Sequence, residues 1–87
     1  MGAEFTIKVS GTSGTRFSLK YRAKRGFLDL LLGRGTSTWR KVEGTVPAEY
    51  KVSGTGVELR DVRKRSAGEL TVELLGAAGS IRTRLTV

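Results

Sequence analysis

Cysteine and histidine are both absent from this chain of 87 residues. Without cysteine there is no disulfide framework and no thiolate ligand for a metal. Without histidine, the usual zinc sites lack their nitrogen ligands, and a serine hydroxyl lacks the base that activates it in a Ser-His-Asp triad. We therefore expect a protein that is not an enzyme and that holds neither a metal nor another cofactor.

Long apolar runs are also missing. No stretch approaches the 18 or so apolar residues that a membrane-spanning helix needs, and the first residues lack the basic and then apolar pattern of a secretory signal. The length allows one domain, residues 1–87, with one modest hydrophobic core. We expect a single soluble domain without a transmembrane span.

Acidic residues are few, with eight Asp and Glu against sixteen Lys and Arg, which gives a formal charge of +8. Such an excess favours anionic partners, among them nucleic acid. A small domain also needs net charge of one sign to stay soluble. Composition alone leaves both explanations open.

What the chain does contain is strand-like alternation, and it is clearest at residues 69–87. Apolar residues alternate with polar ones over 69–74 and again over 81–87, and Gly76 and Gly79 bracket the short loop between them. Glycines supply the positive φ angles that reverse a chain at low cost. This pattern predicts a β-hairpin.

Residues 4–10 and 16–22 alternate in the same way and are separated by Gly11-Thr12-Ser13-Gly14. They predict a second hairpin, whose outer face would carry Lys8, Arg16, Lys20 and Arg22. Further on, Val62 breaks the alternation set by Val57 and Leu59, which indicates a β-bulge or a strand end near Arg60. Pro47 cannot donate a ladder hydrogen bond and is expected at a sheet edge or a strand start.

The most apolar run, Phe27 to Leu32, has two interpretations. It is either a strand that belongs to the core or an exposed patch that binds a partner. Trp39 is likewise either a core plug or an aromatic contact beside Arg34, Arg40 and Lys41. The sequence does not decide between these alternatives.

About seven short strands separated by Gly, Ser and Thr turns predict an all-β fold, an immunoglobulin-like antiparallel β-sandwich, with a small β-barrel as the second choice. The inward positions form a predicted core: Phe5, Ile7, Val9, Phe17, Leu19, Tyr21, Val52, Val57, Leu59, Leu70, Val72, Leu74, Ile81 and Leu85.

Residues 42–50 (VEGTVPAEY), residues 68–74 (GELTVEL) and the last strand after its glycine turn resemble small bacterial extracytoplasmic β-sandwich domains, including the MmpS-type proteins. The resemblance covers about the last half of the chain. It implies a secreted or membrane-tethered domain that acts as an accessory or ligand-binding module. It implies no particular functional residues.

Three functional hypotheses follow. The first is an extracytoplasmic binding module that contacts a protein or ligand through a patch of Phe27, Leu30, Leu31 and Trp39. The second is a nucleic-acid or other polyanion-binding domain that uses basic strand faces. Its candidate residues are Lys20, Arg22, Arg40, Lys41, Arg63, Lys64, Arg65, Arg82 and Arg84. The third is a homo-oligomer that associates through an exposed edge at the last strand.

Overall fold

A computed structural model describes residues 3–24 and 38–87, and all regular secondary structure in those residues is β. The predicted strand over Phe27 to Leu32 lies outside the described residues. The same residues contain no helix with the length and apolar character needed to cross a membrane. The described strands are β1 (Ala3–Gly11), β2 (Arg16–Lys24), β3 (Arg40–Thr45), β4 (Ala48–Gly54), β5 (Gly56–Lys64), β6 (Leu70–Leu75) and β7 (Ile81–Thr86).

These strands form two antiparallel sheets with the orders β4-β1-β6-β7 and β3-β2-β5. The predicted all-β sandwich is therefore confirmed, and the described strands do not close into a barrel. The division into four and three strands is that of an immunoglobulin constant-type sandwich. The first strand, however, lies inside its sheet between β4 and β6, whereas the immunoglobulin order places the first strand at an edge.

The predicted hairpin of β1 and β2 is wrong, because the two strands belong to different sheets. The turn between them carries the chain from one sheet to the other and is held by hydrogen bonds to the ends of the neighbouring strands. The amide of Thr12 donates to the carbonyl of Glu69 at 3.0 Å, and the amide of Val46 donates to the carbonyl of Thr15 at 2.9 Å. Gly11 has a φ of 134°, and a Cβ there would overlap the Glu69 carbonyl oxygen. Glycine is therefore required by the crossing itself.

The predicted hairpin over residues 69–87 is confirmed, since β6 pairs directly with β7. At its tip the amide of Gly76 donates to the carbonyl of Ser80 at 2.8 Å, and Gly79 has a φ of 81°. Pro47 directly precedes β4, an edge strand, as its missing donor predicted.

The core lies between the sheets and is built from the inward positions of β1, β2, β4 and β6, together with Val46 from the β3–β4 connection. Tyr21, Val57 and Leu59 pack against it while partly buried. For two residues the prediction of a core position is wrong, since Ile81 is 54% exposed and Leu85 is 41% exposed. Leu85 lies opposite the buried Val72 and so is on the inward side of its sheet. That sheet has four strands and faces only three described ones, and the described strands do not cover the inward side of β7.

The irregularity predicted at Val62 is confirmed as a β-bulge in β5. Ser18 pairs with Arg63 while Lys20 pairs with Arg60, so β5 contains one residue more than β2 across this interval. Asp61 has a φ of 53° at this point, in the left-handed region that Asp tolerates better than most residues.

Candidate functional site

The outward surface of the three-stranded sheet gathers most of the positive charge that can be placed in the structure. Phe17 and Leu19 point into the core, so the alternate positions of β2 point outward, and the registers with β3 and β5 assign their neighbours to the same side. We call this surface the basic face. Among the described residues, its eight basic side chains are Arg16, Lys20, Arg22, Lys24, Lys41, Arg60, Arg63 and Arg65. Its three acidic side chains are Glu43, Glu58 and Asp61.

The bulge in β5 is what brings Arg60 and Arg63 onto one face. In an uninterrupted strand, residues three apart point to opposite sides of the sheet. Because the bulge adds one residue, Arg60 aligns with Lys20 and Arg63 aligns with Ser18, both on the outward side. Arg60 was missed in the sequence prediction for this reason, although the break in alternation at Val62 was a signal for it.

Lys20 lies at the centre of the basic face with a cation directly opposite it on both sides. Lys41 of β3 is its partner across one strand pair, and Arg60 of β5 is its partner across the other. Like charges directly opposite each other destabilise a sheet. Asp61 offsets part of this repulsion, since its Oδ2 is 3.5 Å from the Lys20 Nζ.

In the four-stranded sheet, the charges on neighbouring strands are of opposite sign. Lys8, on the outward side of the central strand β1, lies between Glu49 of β4 and Glu73 of β6. Glu73 in turn lies opposite Arg84 of β7, with 3.1 Å between carboxylate and guanidinium. Charges across the strands of this sheet are complementary, so the clustered cations of the basic face are not a general property of the chain's composition.

A shallow groove of about 190 Å³ lies on the basic face. Four basic residues line it, Lys20, Lys41, Arg63 and Arg65, with Asp61 as the one acidic residue. Ser18 lies at its base, buried, and accepts a hydrogen bond of 2.9 Å from the Nε of Arg65. A larger groove of about 320 Å³ on the other sheet has mixed charge, with Glu4, Lys8, Glu49 and Lys51 in its lining. Of these two grooves among the described residues, the smaller one has the charge to hold an anion.

Trp39 joins the basic face, and among the described residues it is not a member of the core cluster. It precedes β3 by one residue, and the register that pairs Tyr21 with Arg40 places it opposite Arg22. The guanidinium carbon of Arg22 lies 4.7 Å from the centre of the indole ring, and that of Arg60 lies 5.1 Å from it. These are cation–π distances.

Several predicted site residues do not join this surface. Arg40 and Lys64 lie opposite Tyr21 and Phe17, on the inward side of the sheet near strand ends. Arg82 and Arg84 belong to β7 in the other sheet. Of the predicted polyanion site, the structure therefore brings together Lys20, Arg22, Lys41, Arg63 and Arg65.

Most of the predicted apolar patch lies outside the described residues. Phe27, Leu30 and Leu31 lie outside the described residues, and its fourth member, Trp39, lies among arginines. Within residues 3–24 and 38–87 there is also no cluster of three acidic side chains that would hold a metal ion.

No protein-family model, curated protein or solved structure matches this chain. The resemblance to extracytoplasmic MmpS-type domains therefore stays a prediction from the sequence.

Proposed function

We propose that this protein binds nucleic acid through its phosphate backbone, with the basic face as the contact surface. The observation that carries the proposal is the placement of Lys20 between Lys41 and Arg60. A folded domain that places like charges directly opposite each other loses stability, and departures of this kind are expected where a ligand compensates for them.

The shape of the face supports an extended ligand. The outward residues of β2 from Arg16 to Lys24 span about 27 Å at the usual strand rise. Cations from β3 and β5 flank this line on both sides. A line of cations along a strand suits a chain of regularly spaced phosphates, each of which is neutralised as it releases a counterion.

Catalysis has no support from the described residues, since the basic face offers cations and carboxylates that are mostly paired with one another. Glu58 accepts from Arg22, Glu43 pairs with Lys41 at 3.1 Å, and Asp61 lies against Lys20. The proposed activity is therefore binding. An extracytoplasmic location, as the resemblance implies, is a separate proposal that rests on the sequence alone.

The test is fluorescence anisotropy of labelled DNA 20-mers, single-stranded and duplex, titrated with the protein at several salt concentrations. Eight cations less three carboxylates suggest roughly five neutralised phosphates. The logarithm of the affinity should then fall with the logarithm of the salt concentration with a slope of about −3.5 for single strands. Affinity that does not change with salt, or no binding at low salt, would overturn the proposal.

Lys41→Gln and Lys51→Gln form a matched pair for this experiment. Both lysines lie on edge strands, both are paired with a glutamate two residues away, at 3.1 and 3.2 Å, and their side chains are 55% and 58% exposed. Only Lys41 belongs to the basic face. We expect Lys41→Gln to reduce the salt slope by about 0.7 and Lys51→Gln to leave it unchanged. Equal losses would mean that net charge, and not this surface, attracts the nucleic acid.

A further inference from the structure

Trp39 lies on the basic face beside Arg22. Its backbone lies on the β3 side of the sheet, yet its ring is within cation–π distance of Arg60 on β5, two strands away. The indole and the Arg60 side chain therefore meet between their two strands. Trp39 is half-buried, and its ring contacts two cations of the face, Arg22 and Arg60. An aromatic ring and cations on the same side of a sheet are the two parts of a single-strand binding site.

The two arginines that flank the ring are held very differently. The Nη2 of Arg22 donates to both carboxylate oxygens of Glu58, at 3.3 and 3.2 Å, and the side chains of this pair are each 34% exposed. Arg60 is 59% exposed, and the ion pair that the structure describes for it is a 4.0 Å contact with Asp61. Arg22 is therefore fixed against the indole, whereas Arg60 can move aside at little cost.

We infer that the ligand of the basic face is single-stranded nucleic acid, with one unpaired base stacked on Trp39 and the adjoining phosphates in the groove of Lys20, Lys41 and Arg63. This inference rests on the proposed function. Trp39 directly precedes β3 and Lys41 lies two residues further on, about 7 Å away at strand rise, so a base and a neighbouring phosphate reach the two sites together. In a duplex the faces of the bases are already stacked on one another and do not reach the indole.

The experiment uses the intrinsic emission of Trp39, which is the only tryptophan in the chain. The unmodified protein is titrated with a dT 12-mer, a 12-base-pair duplex and a 12-mer of abasic sugar-phosphate. We expect the dT 12-mer to quench the emission and to bind roughly tenfold or more tightly than the abasic strand, because stacking adds to the shared phosphate contacts. We expect the duplex to leave the emission nearly unchanged.

Equal affinity for the dT and abasic strands with unchanged emission would overturn the inference and leave the proposed function standing, because phosphate contacts alone would then explain binding. Absence of salt-dependent binding to all three probes would overturn both. These comparisons need no variant, so they do not depend on whether a substitution at Trp39 folds.

Two substitutions at Trp39 test whether this residue stacks the base. Trp39→Phe keeps an aromatic face and should retain most of the preference for dT over the abasic strand. Trp39→Leu should lose that preference, while its salt slope stays that of the unmodified protein because the phosphate contacts remain. A Trp39→Leu protein that still preferred the dT strand by the same factor would show that another group stacks the base and would disprove the role of Trp39.

Discussion

Lys20 of β2 and Lys41 of β3 lie directly opposite each other, with both side chains on the outward side of the same sheet. The next outward pair toward the start of β2, Ser18 and Glu43, places no like charges together. The repulsion is therefore local to the centre of the basic face. Arg60 lies on the other side of Lys20, so three positive side chains, Lys41, Lys20 and Arg60, form one row across the sheet.

Removing one member of this row should stabilise the fold while weakening binding. We expect Lys41→Thr to have a higher free energy of unfolding than Lys51→Thr, by a few tenths to about 1 kcal/mol. Both lose a surface ion pair, but only the first relieves a cross-strand repulsion, and only the second loses an exposed hydrogen bond to the Thr6 hydroxyl. Urea unfolding at low ionic strength measures the difference, which should shrink in about 1 M salt as screening shortens the range of the charges. Equal stabilities at low salt would show that Asp61 already cancels the repulsion.

Substitutions at Asp61 should separate its backbone role from its charge. Asp61→Val should destabilise the fold by about 1–2 kcal/mol, since a β-branched residue is strained at a φ of 53°, whereas Asp61→Gly should fold normally. Asp61→Asn keeps a residue that tolerates this conformation and removes a negative charge from the groove, so its affinity for single-stranded DNA should rise. Glu49→Gln, on the other sheet, makes the same change in net charge and should leave the affinity as it is. A rise of equal size in both would contradict the local role of Asp61.

The two strands of the closing hairpin should differ sharply in their tolerance of truncation. Leu70 of β6 is fully buried, and Leu70→Ala should cost about 2–5 kcal/mol in the free energy of unfolding. Leu85 of β7 is 41% exposed, and Leu85→Ala should cost less than about 1 kcal/mol because much of its surface already contacts water. Urea unfolding of both variants decides the point. A loss at Leu85 as large as that at Leu70 would mean that β7 is covered in solution, as it would be in a homo-oligomer.

Tyr50 should make stability depend on pH in the alkaline range. Burial, and secondarily the neighbouring charge of Tyr21, raise the pKa of Tyr50 above its ordinary value of 10.0. The unfolded chain then loses this proton at a lower pH than the folded protein does, so the free energy of unfolding falls as the pH rises above about 10. Tyr50→Phe should show a smaller fall between pH 9 and pH 11, with lysine deprotonation common to both proteins. Identical pH profiles would contradict the assignment.

Much of this architecture follows from local sequence. Alternation located the strands that the structure describes, glycines marked the β6–β7 turn, and the phase change at Val62 indicated the bulge. These features depend on residues within a few positions of one another, because the side-chain period of a strand and the φ requirement of a turn are local properties.

The assignment of strands to sheets was decided only by the tertiary structure. The glycine-rich turn after β1 is compatible with a hairpin or with a crossing between sheets, and the choice depends on the pairing of β1 with β4 and β6, which lie far along the chain. Alternation likewise shows that a strand has an apolar side, but not whether a facing layer covers it. Leu85 is exposed because one sheet is wider than the described part of the other, whereas Ile81 pairs with Leu75 on the outward side of β6, next to a register shift.

The candidate site shows the same division. Lys20, Arg22, Lys41, Arg63 and Arg65 were identified from charge and strand patterns, as members of a longer set that also held cations from other surfaces. Arg60 lies on the same face as these residues because of the bulge in β5, and Trp39 lies among them because of the register between β2 and β3. The sequence alone thus determined which residues alternate and where charge accumulates. Only the tertiary structure decided which charges share a face, because that depends on contacts between residues distant in the chain.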